Sequence, residues 1–542
     1  MIFKERLNHL FIPEQDIPEA FRLTEAIHQM EYLCDGEMRK WDGPSNEVYS
    51  PVYLPDPEGN LQPKFIGTYP VCTEKEALEA LDAAVAAYAN GRGEWPTMSI
   101  AERIACMQKF VYKMNEQRGL VIKLIMWEIG KSLADATKEF DRTVDYINAT
   151  IDALKDTDRQ SSRFEIEEGV VAQIRRSPIG VVLCMGPFNY PLNETFTTLI
   201  PAIIMGNTLL FKPPKHGTLL HYPLLKAFQE SFPKGVVNTI YGRGATVTPG
   251  LMQTGKINVL AFIGSSKVAN DLKKRHPKIN RLRAVLSLDA KNAAIVTRYA
   301  DLKLAVKEII LGALSFNGQR CTAIKIVFVH KQVANDFLQQ LNEAISQLKF
   351  GMPWEDGVSL TPLPEPDKPA YLKACIEDAR NKGAKVINEN GGENLASFVY
   401  PAVVYPVSEG MKLYREEQFG PIIPVVPFES IEEPIQYQID SPHGMQVSIF
   451  SNNASEIASL IDPFVNLVSR VNINSQCQRG PDKFPFTGRK DSAEGTLSVV
   501  DALRSFSIRS LVAAKMNKTN KQLINEIVQH HDSNFLSTNF IF

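Results

Sequence analysis

The sequence predicts an α/β protein with two doubly wound α/β domains plus a small β element, and three observations carry that expectation. From residue 179 to about 296, short apolar runs alternate with helix-forming stretches, the β-α-β-α order that builds a parallel sheet with helices on both faces. The same alternation resumes from 301 to about 450. At 542 residues the chain exceeds what one hydrophobic core serves, so more than one unit is required.

Composition narrows the partners. Lys plus Arg (59) nearly balances Asp plus Glu (61), and a net charge of -2 gives no electrostatic case for nucleic acid or an anionic membrane. Any anion must be bound locally. The seven cysteines (34, 72, 106, 184, 321, 375 and 477) are scattered, odd in number, and lack metal-ligand spacing. That usage suits a reducing compartment and no metal. The start, Met1-Ile2-Phe3-Lys4-Glu5-Arg6, carries an acid and bases with no apolar run after it, and no stretch approaches the ~20 apolar residues of a membrane span. A cytoplasmic protein is expected.

Residues 1 to about 70, rich in Pro, read as an irregular arm of short strands and helices. Thr73 and Ser99 each precede a glutamate by three residues, the capping-box signature of a helix start, and helical periodicity continues to about 155. Arg142 falls in this region, as a surface charge or a substrate contact. Residues 163–176 read as strand, turn at Glu168-Gly169, strand; such a hairpin, with a C-terminal strand near 505–513, offers edges to another subunit. Strands follow at 180–185, 208–211, 236–241, 259–263 and 293–296, with helices starting near Leu192, Thr218, Ala245 and Ser265. Helices are expected again near 301–314, 332–348 and 369–382. One short helix closes the chain at 522–531.

The chemistry gathers on Ser315-Phe316-Asn317-Gly318-Gln319-Arg320-Cys321-Thr322, a turn leading into an apolar strand at 324–330. A thiol there, near backbone N–H groups and the Arg320 cation, would favour the thiolate of a nucleophile. The competing reading is a buried packing cysteine. Two further stretches end strands where a doubly wound sheet binds ligands: Gly186-Pro187-Phe188-Asn189-Tyr190-Pro191 and Lys212-Pro213-Pro214-Lys215-His216-Gly217.

Together with Glu416-Glu417-Gln418-Phe419-Gly420-Pro421, these words resemble the aldehyde dehydrogenase superfamily from about 70 to 510, in order and spacing: 23 residues separate Asn189 from Lys212, and 96 separate Cys321 from Glu417. The resemblance implies an aldehyde dehydrogenase-like fold, with a nucleotide-binding domain at 1–155 and 177–289, a catalytic domain at 290–480, an oligomerisation element at 156–176 and 496–515, and an appended tail at 516–542. It implies that Cys321 attacks an aldehyde and that the Asn189 amide and the Cys321 N–H hold the oxyanion. Glu417 and Phe419 would lie at the nicotinamide ribose, Lys212 at the adenosine ribose, and Gly264-Ser265 at the pyrophosphate. A homodimer or homotetramer is implied as well.

Three details sharpen this expectation. Lys215 stands where many NAD-using members carry a glutamate, so NADP is the expected cofactor. The stretch from Gln478 through Arg479 to Phe486 is similar to the non-phosphorylating glyceraldehyde-3-phosphate dehydrogenase branch, which implies a phosphorylated three-carbon aldehyde met by Arg320 and Arg479, with Tyr190 and Arg142 nearby. Against these stands Ser287, 34 residues before Cys321, at the place of the family's general-base glutamate. Serine takes no proton at neutral pH. Asp289 is a replacement candidate or a turn residue; Ala269 departs from the family's Gly-Ser-Thr-x-x-Gly word. The loss keeps open a coenzyme A-acylating semialdehyde dehydrogenase, or a silent subunit of the same fold.

Overall fold

The computed structural model describes residues 3–541; Met1 and Ile2, where the N-terminal reading begins, and Phe542 of the tail lie outside the described residues. Five parallel strands run in the spatial order Val237–Thr239, Thr208–Lys212, Val181–Met185, Val259–Ile263 and Arg283–Ser287, and Ala493–Glu494 closes one edge antiparallel. The strand Val181–Met185 is buried at every residue, as a strand covered by helices on both faces must be. The chain leaves it toward Thr208–Lys212 on one side and returns on the other at Val259–Ile263. The carboxyl ends of these strands therefore face a topological switch point, where a crevice opens.

A second sheet holds six parallel strands, Ala402–Tyr405, Ile422–Phe428, Ile324–His330, Asn292–Val296, Gln446–Phe450 and Arg470–Ile473, with Lys385–Val386 antiparallel at its edge. Cys321 stands just before the wholly buried strand Ile324–His330. The turn before it is tight: Phe316, Asn317 and Gly318 all have positive φ, 48°, 54° and 73°. A Cβ on Gly318 would stand 2.6 Å from Ala313 O and 2.8 Å from Gly420 O. Glycine is thus what lets the cysteine turn touch the 416–421 loop.

The helices of the N-terminal half begin as their caps dictate. Thr73 and Ser99 both form complete capping boxes, starting Glu74–Tyr88 and Ile100–Glu116, and Leu133–Ser161 runs 29 residues. Phe110 stacks on Phe228 at 4.3 Å in the core between these helices and the first sheet. The hairpin Glu165–Glu167 and Val170–Pro178 turns at Glu168 and Gly169, both at positive φ, and Ser507–Lys515 pairs antiparallel with its second strand over nine residues. Among the described residues no helix is long and apolar enough to cross a membrane.

Two expectations are corrected. The arm before residue 70 holds a long hairpin, Ser45–Pro55 with Leu61–Pro70, whose register shifts around Tyr49; its prolines sit at irregularities and ends, the places a strand tolerates them. The strand Arg283–Ser287, unread in the sequence, pairs along Val259–Ile263 and delivers Ser287 to the crevice. Gly318→Ala is expected to destabilise the protein by about 2–4 kcal/mol through a disfavoured φ and backbone clashes, checked by denaturant unfolding against wild type.

Candidate active site

A cavity of ≈ 690 Å³ at the switch point is lined by Asn189, Glu194, Lys212, Ser287, Cys321 and Glu417 among others. Cys321 is partly accessible. Its carbonyl is held twice, by Asn292 Nδ2 (2.8 Å) and Lys325 Nζ (2.9 Å), which fixes the turn while the thiol lines the cavity. The Cys321 N–H has no hydrogen-bond partner among the described residues. Asn189 Nδ2 donates to Gln319 O at 2.8 Å; an amide NH₂ has two hydrogens, so one remains for a ligand. The structure thus brings the sulfur and two candidate oxyanion donors to one place.

The thiolate expectation is corrected. Burial pushes the Cys321 thiol up to about 11, and the Glu194 carboxylate pushes it the same way, against Lys325 and Arg479. Arg320 does not offset this, because its guanidinium turns back to the carbonyls of Leu311 (3.1 Å) and Gly312 (2.8 Å). The resting sulfur is a thiol that needs a proton acceptor.

Lys212 and Lys215 both line the cavity toward a second recess shared with Gly244 and Arg243. Lys212 Nζ donates only to Pro213 O (3.1 Å) among the described residues, and burial pulls its ammonium down to about 8. A desolvated, under-partnered cation fits ribose or phosphate oxygens. Gly264 and Ser265 line the same wall, and Ser265 caps the helix Ser266–Arg275 by accepting from Val268 N–H. The first-turn N–H of Ser266 is already taken by Asp289 Oδ2 at 2.7 Å. Asp289, the candidate general base, lines the cavity with this one carboxylate oxygen committed to the helix start. Glu417 pairs with buried Lys325 at 2.8 Å, and Phe419 meets Phe188 edge-on at 5.8 Å between centroids.

The arginines expected at a substrate phosphate are committed elsewhere, which corrects that reading. Arg479 donates through Nη1 to Glu194 Oε2 and through Nη2 to Leu497 O. Arg142 pairs bidentately with Asp482, at 2.7 and 3.1 Å. Neither they nor Arg320 and Tyr190 line the cavity; Tyr190 lies under Lys131 Nζ, 3.4 Å from its ring centroid.

Sequence reasoning missed four groups. Lys131 is fully buried on Glu139. Lys291, pulled down to about 7 by burial, donates to Glu416 O (2.6 Å) and Gln418 Oε1 (2.7 Å). With Lys325 it pins the 416–418 loop. Glu194 was the most consequential omission, and its signal was an acid opening an otherwise uncharged helix, Asn193–Ile204.

Known proteins resemble this chain over most of its length. The aldehyde dehydrogenase family model matches residues 59–511. An NADP-dependent glyceraldehyde-3-phosphate dehydrogenase of Streptococcus equinus is 33% identical over 460 residues, 83% of this chain and 92% of that protein. A malonate-semialdehyde dehydrogenase of Listeria innocua is 29% identical over 82% of this chain and 91% of that protein. Among solved structures, the NADP-dependent glyceraldehyde-3-phosphate dehydrogenase of Bacillus halodurans, complexed with NADP, superposes with a TM-score of 0.81 at 29% identity, covering 91% of this chain and all of that one.

The site predicts its own reactivity. Without ligands, iodoacetamide labelling of Cys321 should rise about tenfold per pH unit from pH 7 toward 10, since only the thiolate reacts; a plateau near pH 7, read by peptide mass spectrometry, would contradict the raised thiol.

Proposed function

The chain belongs to the aldehyde dehydrogenase family, and on that premise we propose that it oxidises glyceraldehyde 3-phosphate to 3-phosphoglycerate with NADP, through a thioester on Cys321. One observation carries the reading: Cys321 lines the switch-point cavity together with Asn189, whose amide bonds the carbonyl two residues before that cysteine. NADP is supported by the Lys212 ammonium, which donates only to Pro213 O among the described residues, and the exposed Lys215 beside it, and by the names of the relatives. The same names support the phosphorylated substrate.

The cofactor, when bound, supplies a hydride acceptor. Lys212 and Lys215 would hold its adenosine ribose and 2′-phosphate, and Glu417 its other ribose. The chain's own residues do the rest. Cys321 Sγ attacks the aldehyde carbon, and the oxygen gathers charge against Asn189 Nδ2 and the Cys321 N–H, where one such donor is worth ~3–4 kcal/mol. After oxidation the acyl group remains on sulfur until water releases the carboxylate.

A second reading has a specific observation behind it. Ser287 brings a hydroxyl with no hydrogen-bond partner among the described residues to the cavity where a base would stand, so coenzyme A could take the acyl group instead. Incubating purified protein with the phosphorylated aldehyde and NADP, with and without coenzyme A, separates the two. NADPH should form without coenzyme A, and strict dependence on it would overturn the hydrolytic reading.

Self-association is part of the proposal. The strand Ser507–Lys515 shows Ile508, Leu511 and Val512 to solvent at 52, 60 and 43%, an apolar edge suited to a second copy. Leu511→Asp should shift the protein toward monomer in sedimentation experiments; an unchanged mass would remove this edge from the interface. Lys215→Glu should lower kcat/KM with NADP by about tenfold or more, as expected for a lost charge-assisted contact, while the value with NAD stays within about threefold; equal losses would show that Lys215 does not meet the 2′-phosphate.

A further inference from the structure

Resting on the oxidative reading above, we propose that Glu194 is the catalytic proton acceptor of this site. It takes the proton of the Cys321 thiol as the sulfur attacks, and later the proton of the water that cleaves the thioester, the duty that Ser287 cannot perform.

Four carboxylates line the cavity: Glu194, Asp289, Glu365 and Glu417. Each has one oxygen engaged. Asp289 anchors the Ser266 N–H at 2.7 Å, Glu365 pairs with Lys368 at 3.0 Å, and Glu417 pairs with Lys325 at 2.8 Å. Glu194 has Oε2 on Arg479 and no hydrogen bond to Oε1 among the described residues, and of the four it is the one that follows directly on the turn carrying Asn189. It also exerts the strongest charge effect on the Cys321 thiol. An acceptor lining the same cavity as a protonated sulfur is the arrangement that general-base activation of a nucleophile requires.

The backbone makes the placement rigid. Glu194 opens the buried helix Asn193–Ile204, and its N–H donates to Tyr190 O at 3.1 Å, closing the turn that carries Asn189. One short stretch therefore presents the oxyanion donor and the proton acceptor together. Arg479 cannot deprotonate and is itself held by Leu497 O and the Phe486 face, 4.6 Å from the ring centroid. It acts as a positioning residue that holds the Glu194 side chain in place. The other groups around Glu194 are the cations Arg142 and Lys131, paired with Asp482 and Glu139, and the neutral Tyr146 and Cys321.

The proton account balances. In the first transfer the S–H bond breaks, its proton passes to Glu194, and a C–S bond forms while the carbonyl π pair moves to oxygen. The oxidation that follows is the one step this residue does not enter. Glu194 then sheds its proton to solvent. In the second transfer a water O–H bond breaks toward Glu194, a C–O bond forms, and the C–S bond breaks to release the sulfur with its electron pair.

The test is Glu194→Gln, which keeps the size of the side chain and an acceptor for Arg479. In the ligand-free protein, the apparent pKa of Cys321, read from the pH dependence of alkylation, should fall by about one unit or more. With aldehyde and NADP, steady-state NADPH formation should drop about 10²–10⁴-fold, although the thiol is now easier to ionise. Adding Ser287→Glu should recover at least about tenfold of the loss by restoring a carboxylate to the cavity. Turnover within about threefold of wild type, or an unmoved thiol pKa, would overturn the proposal. Should the glutamine variant fail to fold, Glu194→Asp keeps the charge near Arg479 and withdraws it by one methylene; turnover should then fall about tenfold or more, and an unchanged rate would again overturn the assignment. A wild-type protein that makes no NADPH from any aldehyde would sink the oxidative reading instead, while the alkylation measurement still decides whether Glu194 faces the sulfur.

Discussion

The structure depends on one buried ammonium. Lys325 Nζ, on the central strand Ile324–His330, donates to the Cys321 carbonyl and pairs with Glu417, so a single cation ties the cysteine turn to the 416–421 loop beside it. A buried cation without partners would lose its charge or unfold its surroundings, and breaking one partner of such a pair typically costs about 3–5 kcal/mol. The arrangement is self-enforcing: the loop and the turn can satisfy Lys325 only when both are in place. Lys291 repeats the device one strand away, on Glu416 O and Gln418 Oε1.

The cavity is divided by chemistry. Toward the second recess stand Lys212 and Lys215, cations that the protein leaves under-partnered. Around the sulfur the charges are paired instead, as Glu194 with Arg479 and Lys325 with Glu417. Pairing removes the arginines from the list of free phosphate contacts and leaves a substrate end whose charge balance is set inside the protein. A substrate there meets a preorganised field of fixed dipoles, the condition under which electrostatic stabilisation is largest.

Much of the fold was legible because periodicity and capping are local. The capping boxes at Thr73 and Ser99, the 168–169 turn and the strand at 324–330 need only neighbouring residues to be read. The strand Arg283–Ser287 was missed because its alternation is short and its pairing is set by Val259–Ile263, some twenty residues away. At the site, residue types pointed to Cys321, Asn189 and Lys212, all of which line or border the cavity. The arginines were misread because their partners, Asp482, Glu194 and the carbonyls of Leu311 and Gly312, become neighbours only through folding. The same reason hid Glu194: an acid in an otherwise uncharged helix is visible in the sequence, but what it faces is not.

The last residues of the chain reach back onto the three-stranded hairpin sheet. Gln173 exchanges two hydrogen bonds with the backbone of Ser537, and Arg175 bonds the carbonyls of Ser537 and Asn539, so a side-chain amide imitates the main chain of a neighbouring strand. The tail thereby gains sheet-like anchorage without occupying a sheet edge. The hairpin becomes a blade glazed on one face by residues 537–539, leaving the outer rims of Ser507–Lys515 and Glu165–Glu167 as the two edges a further strand could meet.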